Sequence, residues 1–506
     1  MSYSGRTGKC GLSISFFFLF LLAGGSAVAQ EHAVRFTPKL QKAYFEIQKL
    51  RITTAKSLIN EERGANSINA FVPYLDNYAD LHTLMITEDR DAYKKLSVKE
   101  DERLAAIGKL PDDSPYKRFL QAEIRLHWAF AKIKFGNEVS GAWEVIKAYK
   151  LLDENKKKFP AFLPTLKSLG FLHVLIGSVP ENYTWVTRIL GLRGNIELGL
   201  EELRTVADQE PLFRQEAELM SLLLHAYTLQ LDGLQLGKIK QLAESNPDNL
   251  LLHFFAATTL MKEAKGKEAE HMLQDAPTGP AYIAFPFLDY LRGEIALQSG
   301  QYEKAFNYYS RFRSGYRGFN YIKDSNLKMF MCRWLAGRDT EARAFINKVK
   351  SEGSAIIEAD KLAVRVADDY TSGKIMAIQK VLYKSRYATD GGFLNTATEV
   401  LEEVNEANFA TLNDKAEFNY RKGRILQKAD KENVAIPFFI RCVNLTKGAP
   451  VGFGASSALQ LGYIYKENGQ KTKAIEYFKL AMSYKKYEYK NSIDSKARAA
   501  LTSLGA

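Results

Sequence analysis

The sequence predicts an all-α solenoid, in which antiparallel helix pairs stack side by side. Apolar residues follow helical spacing through most of the chain, and the alternating pattern of strands is scarce. A motif of small and aromatic residues also returns several times in the C-terminal half. Its last copy has small residues at Gly462 and Ala474 and aromatic residues at Tyr465 and Phe478. Small residues let two helices approach closely, and such pairs bury their apolar faces by stacking on neighbours.

Residues 1–29 have the pattern of a secretory signal peptide. Arg6 and Lys9 precede the apolar run Leu12–Leu22, and Ala27-Val28-Ala29 supplies the small residues of a cleavage site. We expect a mature chain that begins at Gln30. Because Arg6 and Lys9 carry two of the +12 net charges, this chain has a net charge of +10. An uncleaved membrane anchor is the alternative, although the run is shorter than the roughly 20 apolar residues that a span needs.

Residues 30–215 are predicted to form an irregular region of helical repeats. The stretch from Phe36 to Asn60 is amphipathic with helical spacing. Ser114, followed by Pro115, predicts the start of a helix that runs to about Phe135. The segment 141–155 is its expected antiparallel partner.

The remaining chain divides into two groups of regular units. Residues 216–350 hold a degenerate unit followed by three units, and residues 378–506 hold three more. Residues 351–377 break the spacing and are predicted to be an inserted helix. The six regular units begin at Leu250, Pro286, Lys323, Ile378, Ala416 and Ala455. Within each group their spacing is 36–39 residues, and this resembles the 34-residue tetratricopeptide repeat with longer turns.

A glycine-rich segment carries a resemblance to a known family. It contains Gly177, Pro180, Gly191, Gly194 and Gly199-Leu200. This pattern resembles a broad family of divergent tetratricopeptide proteins that includes the eukaryotic inclusion-body-clearance type and exported bacterial relatives. The turn Asp390-Gly391-Gly392-Phe393 resembles the exported bacterial members. The resemblance implies a helical binding scaffold without catalytic residues.

Patterns that support catalysis or metal binding are missing from the sequence. It contains no His-Glu-x-x-His and no Cys-x-x-Cys. Gly233–Lys238 has only three residues between its glycines, where a phosphate-binding loop needs four. Cys332 and Cys442 both fall in predicted helices, and we expect two buried thiols, with a long-range disulfide as the alternative. We therefore expect no enzymatic activity, no cofactor and no bound metal.

The first helix of each repeat supplies the candidate binding residues. Offsets two, five, nine and twelve of a unit should face the concave groove of a solenoid. The candidates that we select at these offsets are polar and aromatic: Phe287, Tyr290, Glu294, Tyr420, Arg424, Gln427, Tyr463 and Lys466. Aromatic rings offer large rigid contacts and cations bind carboxylates, a combination that suits peptide recognition. The alternative is that these side chains pack between repeats or are simply solvated.

These patterns favour an exported scaffold that binds a protein or peptide on its concave face. The signal peptide resembles that of a Gram-negative envelope protein, which implies the periplasm or the outer membrane. Peripheral membrane association is left open, and nucleic acid is not an expected partner because export removes it. Glycan binding at the outer membrane is the alternative function, although such proteins usually carry a lipid-bearing cysteine after the signal. Cys10 precedes the apolar run, so it cannot be that lipid-bearing cysteine. An enzyme without a familiar motif is the third hypothesis.

Overall fold

The computed structural model describes residues 33–179, 190–229, 231–487 and 490–506, and the regular structure in these ranges is helical. This confirms the predicted all-α solenoid of helical repeats. The predicted signal peptide and Pro180 lie outside the described residues. Every described helix falls short of the length and apolar character that crossing a membrane requires.

The described residues within 33–256 and 275–285 form one compact unit. Its helices are α1 (Pro38–Gln48), α2 (Ile52–Ala65), α3 (Phe71–Thr87), α4 (Arg90–Ser97), α5 (Lys99–Gly108), α6 (Pro115–Lys134), α7 (Glu138–Lys158), α8 (Pro164–Gly177), α9 (Ile196–Gln209), α10 (Arg214–Tyr227) and α11 (Gly233–Ser245). The predicted helix after Ser114 is confirmed, and it packs against α7 as its partner. The stretch 36–60 is not continuous, since the chain turns at Leu50 with a φ of 65°.

A buried ion cluster lies in the core of this first unit. Lys167 Nζ lies 2.6 Å from a carboxylate oxygen of Glu123 and 3.1 Å from one of Glu216. The hydroxyls of Tyr44 and Tyr78 donate to Glu216. Because an unpaired buried charge is costly, this pairing is what allows a lysine to lie in the apolar core.

Three of the glycines that carry the family resemblance, Gly177, Gly194 and Gly199, have a packing role, whereas a Cβ on Gly191 would meet no neighbour. A Cβ on Gly199 would lie 2.5 Å from the Gly170 carbonyl oxygen, and one on Gly194 would lie 2.2 Å from the Gly177 nitrogen. The backbones of α8 and α9 therefore touch along this line. Larger residues at these positions would push the two helices apart.

Residues 257–274 and 286–506 form the second compact unit. Its helices are α12 (Leu250–Lys262, shared with the first unit), α13 (Gly266–Gln274), α14 (Phe287–Gln298), α15 (Tyr302–Gly315), α16 (Ile322–Leu335), α17 (Asp339–Ser351), α18 (Glu358–Thr371), α19 (Lys380–Asp390), α20 (Leu394–Glu402), α21 (Leu412–Lys428), α22 (Glu432–Leu445), α23 (Gly452–Glu467), α24 (Lys471–Ser483) and α25 (Lys490–Ser503). Short 3₁₀ helices precede α19 and α21. Each predicted regular unit is a helix pair, while the predicted domain boundaries stay predictions.

The predicted inserted helix is α18, and one of its side chains caps the N-terminus of the neighbouring helix α16. The α16 helix follows Tyr321, whose φ is 61° and whose side chain does not cap the helix. Instead the Asp360 carboxylate of α18 accepts the backbone N–H groups of Tyr321, at 2.8 Å, and Asp324, at 2.9 Å. A carboxylate at a helix N-terminus satisfies free donors and complements the helix dipole. The insertion is therefore part of the repeat packing.

Two distant turns meet within the second unit. The Gly266 N–H donates to the Gly391 carbonyl oxygen at 3.0 Å. Gly392 has a φ of +77°, and a Cβ there would lie 1.7 Å from the Ala264 carbonyl oxygen. The Asp390–Phe393 motif thus joins the turn before α13 to the turn after α19. This contact accompanies packing of α19 against α14 and α16.

Candidate functional site

A close approach between the two helices of a repeat orients the candidate residues. A Cβ on Gly423 would lie 2.6 Å from the Phe439 ring, and one on Gly462 would lie 2.5 Å from the Phe478 ring. Gly293 makes the same approach to Tyr309, at 2.8 Å. In each pair the aromatic residue follows its glycine by sixteen positions. The glycine faces the partner helix, so residues at other positions around the first helix can face outward.

Arg424 is the centre of a half-buried polar group on α21 and α23. Its Nη1 donates to Gln427 Oε1 at 2.6 Å and to Gln460 Oε1 at 2.8 Å. The second bond joins two successive repeats, and we call Arg424 and Gln460 the open pair. Lys428 lies one helical turn further along α21, where burial and then the Arg424 guanidinium lower the pKa of its ammonium group. The positive charges of these two neighbouring side chains favour an anionic partner.

The aromatic candidates of these repeats also pack between helices. The Tyr420 ring centroid lies 5.5 Å from that of Phe453 and 6.2 Å from that of Phe439. Tyr463 makes an edge contact with Phe478 at 5.3 Å, and burial raises the pKa of its hydroxyl. Both tyrosines keep part of their surface in solvent. They combine a packing role with a surface on which a partner could lie.

Lys466 lies further along α23 and is exposed. Its ammonium group donates to the Ser503 hydroxyl of α25 at 2.8 Å. A single bond to a surface hydroxyl leaves the other two donors of the ammonium group available to a partner.

The candidates of α14 have a different environment. Tyr290 is only 6% exposed, and its hydroxyl donates to Asp324 Oδ2 at 2.5 Å. Phe287 stacks on Tyr290 with ring centroids 4.9 Å apart. Glu294 accepts hydrogen bonds from the Tyr309 hydroxyl and, at 2.9 Å, from Lys328 Nζ. Glu294 and Lys328 join successive repeats, and we call them the covered pair.

The α19 helix accounts for this covering. Its Tyr387 ring lies 5.4 Å from Lys328 Nζ. Burial lowers the pKa of Lys328, but the carboxylates of Glu294 and Asp324 together have a larger effect, so the pKa of the lysine is raised. Burial raises the pKa of Asp324 to about 6, although Lys328 acts in the opposite direction. The charges of Glu294, Asp324 and Lys328 therefore interact with one another inside the second unit.

The predicted candidates therefore form two groups. Arg424 and Gln427 are directly bonded, and Phe287 and Tyr290 are in ring contact. The predicted candidates did not include Gln460, Lys428, Asp324, Lys328 and Tyr387. The repeat frame contains a signal for three of them. Lys328 and Gln460 occupy the sixth offset of their units and meet the ninth offset of the preceding unit, and Asp324 occupies offset two, one of the groove-facing offsets. Tyr387 had no such signal, since its contact depends on how α19 packs.

The described residues contain no group of three or more His, Cys, Asp or Glu side chains arranged to hold a metal ion. Cys332 and Cys442 are free and buried, so the disulfide alternative is wrong. Burial raises the pKa of the Cys442 thiol to about 12. A buried thiol that stays protonated is a weak nucleophile.

Comparison with known protein families gives a match in the last repeat. The family model of the tetratricopeptide repeat matches residues 455–487. The match begins at Ala455, where the last predicted unit begins, and it contains Gln460, Tyr463 and Lys466. No curated protein matches the chain. Together with the helical structure, the match supports a tetratricopeptide-type protein, a class whose extended surfaces generally bind other proteins.

Proposed function

We propose that this chain is a non-enzymatic scaffold that binds a protein or peptide on the first-helix face of its C-terminal repeats, α21–α24. The observation that carries the proposal is the half-buried cationic group of Arg424 and Lys428 beside the open pair. It lies next to the repeat that matches the tetratricopeptide model. An acidic side chain of the partner would replace the glutamine oxygens that Arg424 now bonds, because charge-assisted hydrogen bonds are stronger than neutral ones.

The partner can be captured at this face by site-specific crosslinking. A photo-reactive residue in place of Gln427 should form a defined adduct in cells that produce the protein. The same residue in place of Arg441, which lies on the second helix α22 and pairs with Glu406 at 2.7 Å, is the matched control. Mass spectrometry then identifies the adduct. Equal adducts from both positions would contradict binding at the first-helix face.

The binding energy can then be tested with the purified partner. The double variant Arg424→Gln/Lys428→Gln should weaken binding by about tenfold or more, since a lost charge-assisted hydrogen bond is worth roughly 1.5–3 kcal/mol. Arg441→Gln should leave the dissociation constant unchanged. Unchanged binding by the double variant, with helicity intact, would overturn the proposed site. If oligosaccharides rather than proteins bind in an Arg424-dependent way, the glycan alternative replaces the proposal.

We also propose that the protein acts after export, in the periplasm or at the outer membrane. The support is the charge and apolar pattern of residues 1–29. The mass of the mature protein, purified from cells, should correspond to a chain that begins at Gln30. A chain that keeps residues 1–29 and stays in the cytoplasm would refute export.

A further inference from the structure

A polar cleft lies within the first unit, far along the sequence from the proposed partner-binding face. It is bounded by α2, α3 and α5 and has a volume of about 810 Å³. This is within the roughly 300–1,000 Å³ of pockets that hold small molecules. The cationic side chains that line the cleft are Lys56, Arg63, Lys99, Arg103 and Lys109.

The floor of the cleft is a preorganised ion cluster. Asp80 and Arg103 are both buried, and Arg103 Nη2 donates to Asp80 Oδ2 at 2.5 Å. Arg103 Nη1 also donates to Asn77 Oδ1, at 3.0 Å, and the Trp128 indole donates to the same oxygen at 2.8 Å. Lys56 Nζ lies 2.7 Å from the other oxygen of Asp80. Two cations thus share one carboxylate, and buried neighbours hold the arginine in place.

The rim carries further positive charge. Arg63 is paired with Asp76. Lys99 and Lys109 lie at the start and just past the end of α5, where both are exposed. Neither ammonium group has an ion-pair partner among the residues that the structure describes. Glu102 is the third carboxylate of the cleft, so five cations face three carboxylates and the lining has a net charge of +2.

The uncharged part of the cleft lining is mixed: Asn60, Ser67 and Asn69 are polar, and the other residues are apolar. The apolar residues include Ile68, Val72, Pro73 and Ala106. Ile68 is 61% exposed at the edge. A ligand with an organic body would therefore contact carbon as well as charge. A mixed lining of this kind is typical of small-molecule sites, where a few polar groups orient a ligand between apolar walls.

We propose that this cleft binds a small organic polyanion, a molecule that carries two or more carboxylate or phosphate groups. The shared cations of the floor attract the first group, and Lys99 or Lys109 attracts the second from the rim. The excess positive charge within one concave site also concentrates anions there. The inference is independent of the proposed scaffold function, because it uses other residues in the other compact unit.

The test is calorimetric titration of the full chain with citrate, pyrophosphate and acetate. We expect citrate or pyrophosphate to bind and acetate, which has one charge, to bind more weakly. Binding of citrate alone identifies carboxylates as the recognised groups, and binding of pyrophosphate alone identifies phosphates. Added salt should weaken the affinity, because mobile ions screen exposed charges.

A pair of matched variants locates the site. Lys99→Gln/Lys109→Gln removes two exposed charges of the cleft without disturbing the buried floor. It should weaken polyanion binding about three- to tenfold, as expected for two exposed charge contacts. Lys94→Gln/Lys95→Gln removes two lysines of the neighbouring helix α4 that do not line the cleft, and it should have no effect. The proposal is overturned if neither polyanion binds, if acetate binds as well, or if both double variants weaken binding equally.

Discussion

The covered pair and the open pair occupy the same positions in different repeats and have different environments. Glu294 and Lys328 lie 2.9 Å apart, and Arg424 and Gln460 lie 2.8 Å apart. Each pair joins the ninth offset of one unit to the sixth offset of the next. Around the covered pair, the Tyr387 ring of α19 lies against Lys328, and the side chains of Lys328 and Glu294 are only 13% and 15% exposed. Arg424 and Gln460 are half-buried as well, but Arg424 bonds neutral glutamine oxygens where Lys328 bonds a carboxylate.

The difference teaches that a repeat position does not by itself define a binding position. Covering converts the Glu294–Lys328 pair into a structural contact, because both charges must satisfy each other once water is excluded. Arg424 keeps access to solvent and can exchange a glutamine for a partner carboxylate. The position of a binding site on such a scaffold therefore depends on which helices pack over a face as well as on the residues of that face.

The largest expected effect comes from breaking each pair in the same way. Lys328→Met should destabilise the second unit by about 3 kcal/mol, because Glu294 would keep its charge in a poorly solvated place. Arg424→Met should cost less than about 1 kcal/mol, since its partners are neutral and half-exposed. Amide hydrogen exchange in α16 and α21 measures both opening free energies. Similar costs for the two variants would remove the distinction between the pairs.

A smaller effect should come from loosening the turn contact that accompanies the covering. Gly392→Ala should cost about 2 kcal/mol more than Gly373→Ala, because only the first Cβ clashes with a backbone carbonyl. Both glycines have a φ of +77°, so the left-handed strain cancels in this comparison. Hydrogen exchange should rise in α19, while α23 and α24 stay protected. Equal costs would show that the turns do not hold α19 in place.

The smallest expected effect is a pH dependence that belongs to the covered side alone. Burial raises the pKa of Asp324 to about 6 in the folded chain, so the native state binds this proton more tightly than the unfolded state does. Its contribution to stability is present at low pH and is lost as the pH rises through about 6. Lowering the pH from about 7.5 to about 5.5 should therefore stabilise α16 by roughly 1 kcal/mol.

The Asp324→Asn variant isolates this contribution. It keeps an oxygen acceptor for Tyr290 and removes the titrating group, while Glu294, Lys328 and Asp360 stay in place around it. The difference in opening free energy between the variant and the natural chain should change by about 1 kcal/mol between these pH values. A difference that is independent of pH would show that Asp324 does not titrate in this range.

Local sequence patterns were sufficient to predict the repeats but not to predict the candidate site. The glycine and aromatic residue of each close approach, such as Gly423 and Phe439, are separated by a constant spacing that one helix pair dictates. The break at Leu50 left no signal, because neither glycine nor proline stands there. The capping of α16 by Asp360 was also invisible, since it joins residues of different helices. The candidate site was predicted as one surface and forms two groups.

The sequence alone determined that this chain is helical, that its regular units are helix pairs, and that the glycine of a pair faces the partner helix. Helical spacing and small-residue contacts are local, so a short stretch of chain is enough to encode them. Only the tertiary structure decided that Tyr290 is buried and that Arg424 bonds neutral partners. It also decided that Lys328 pairs with Glu294 beside Tyr387. That outcome depends on the packing of α19 against α14 and α16, which joins helices that are far apart in the sequence. No local period in the chain specifies contacts of that range.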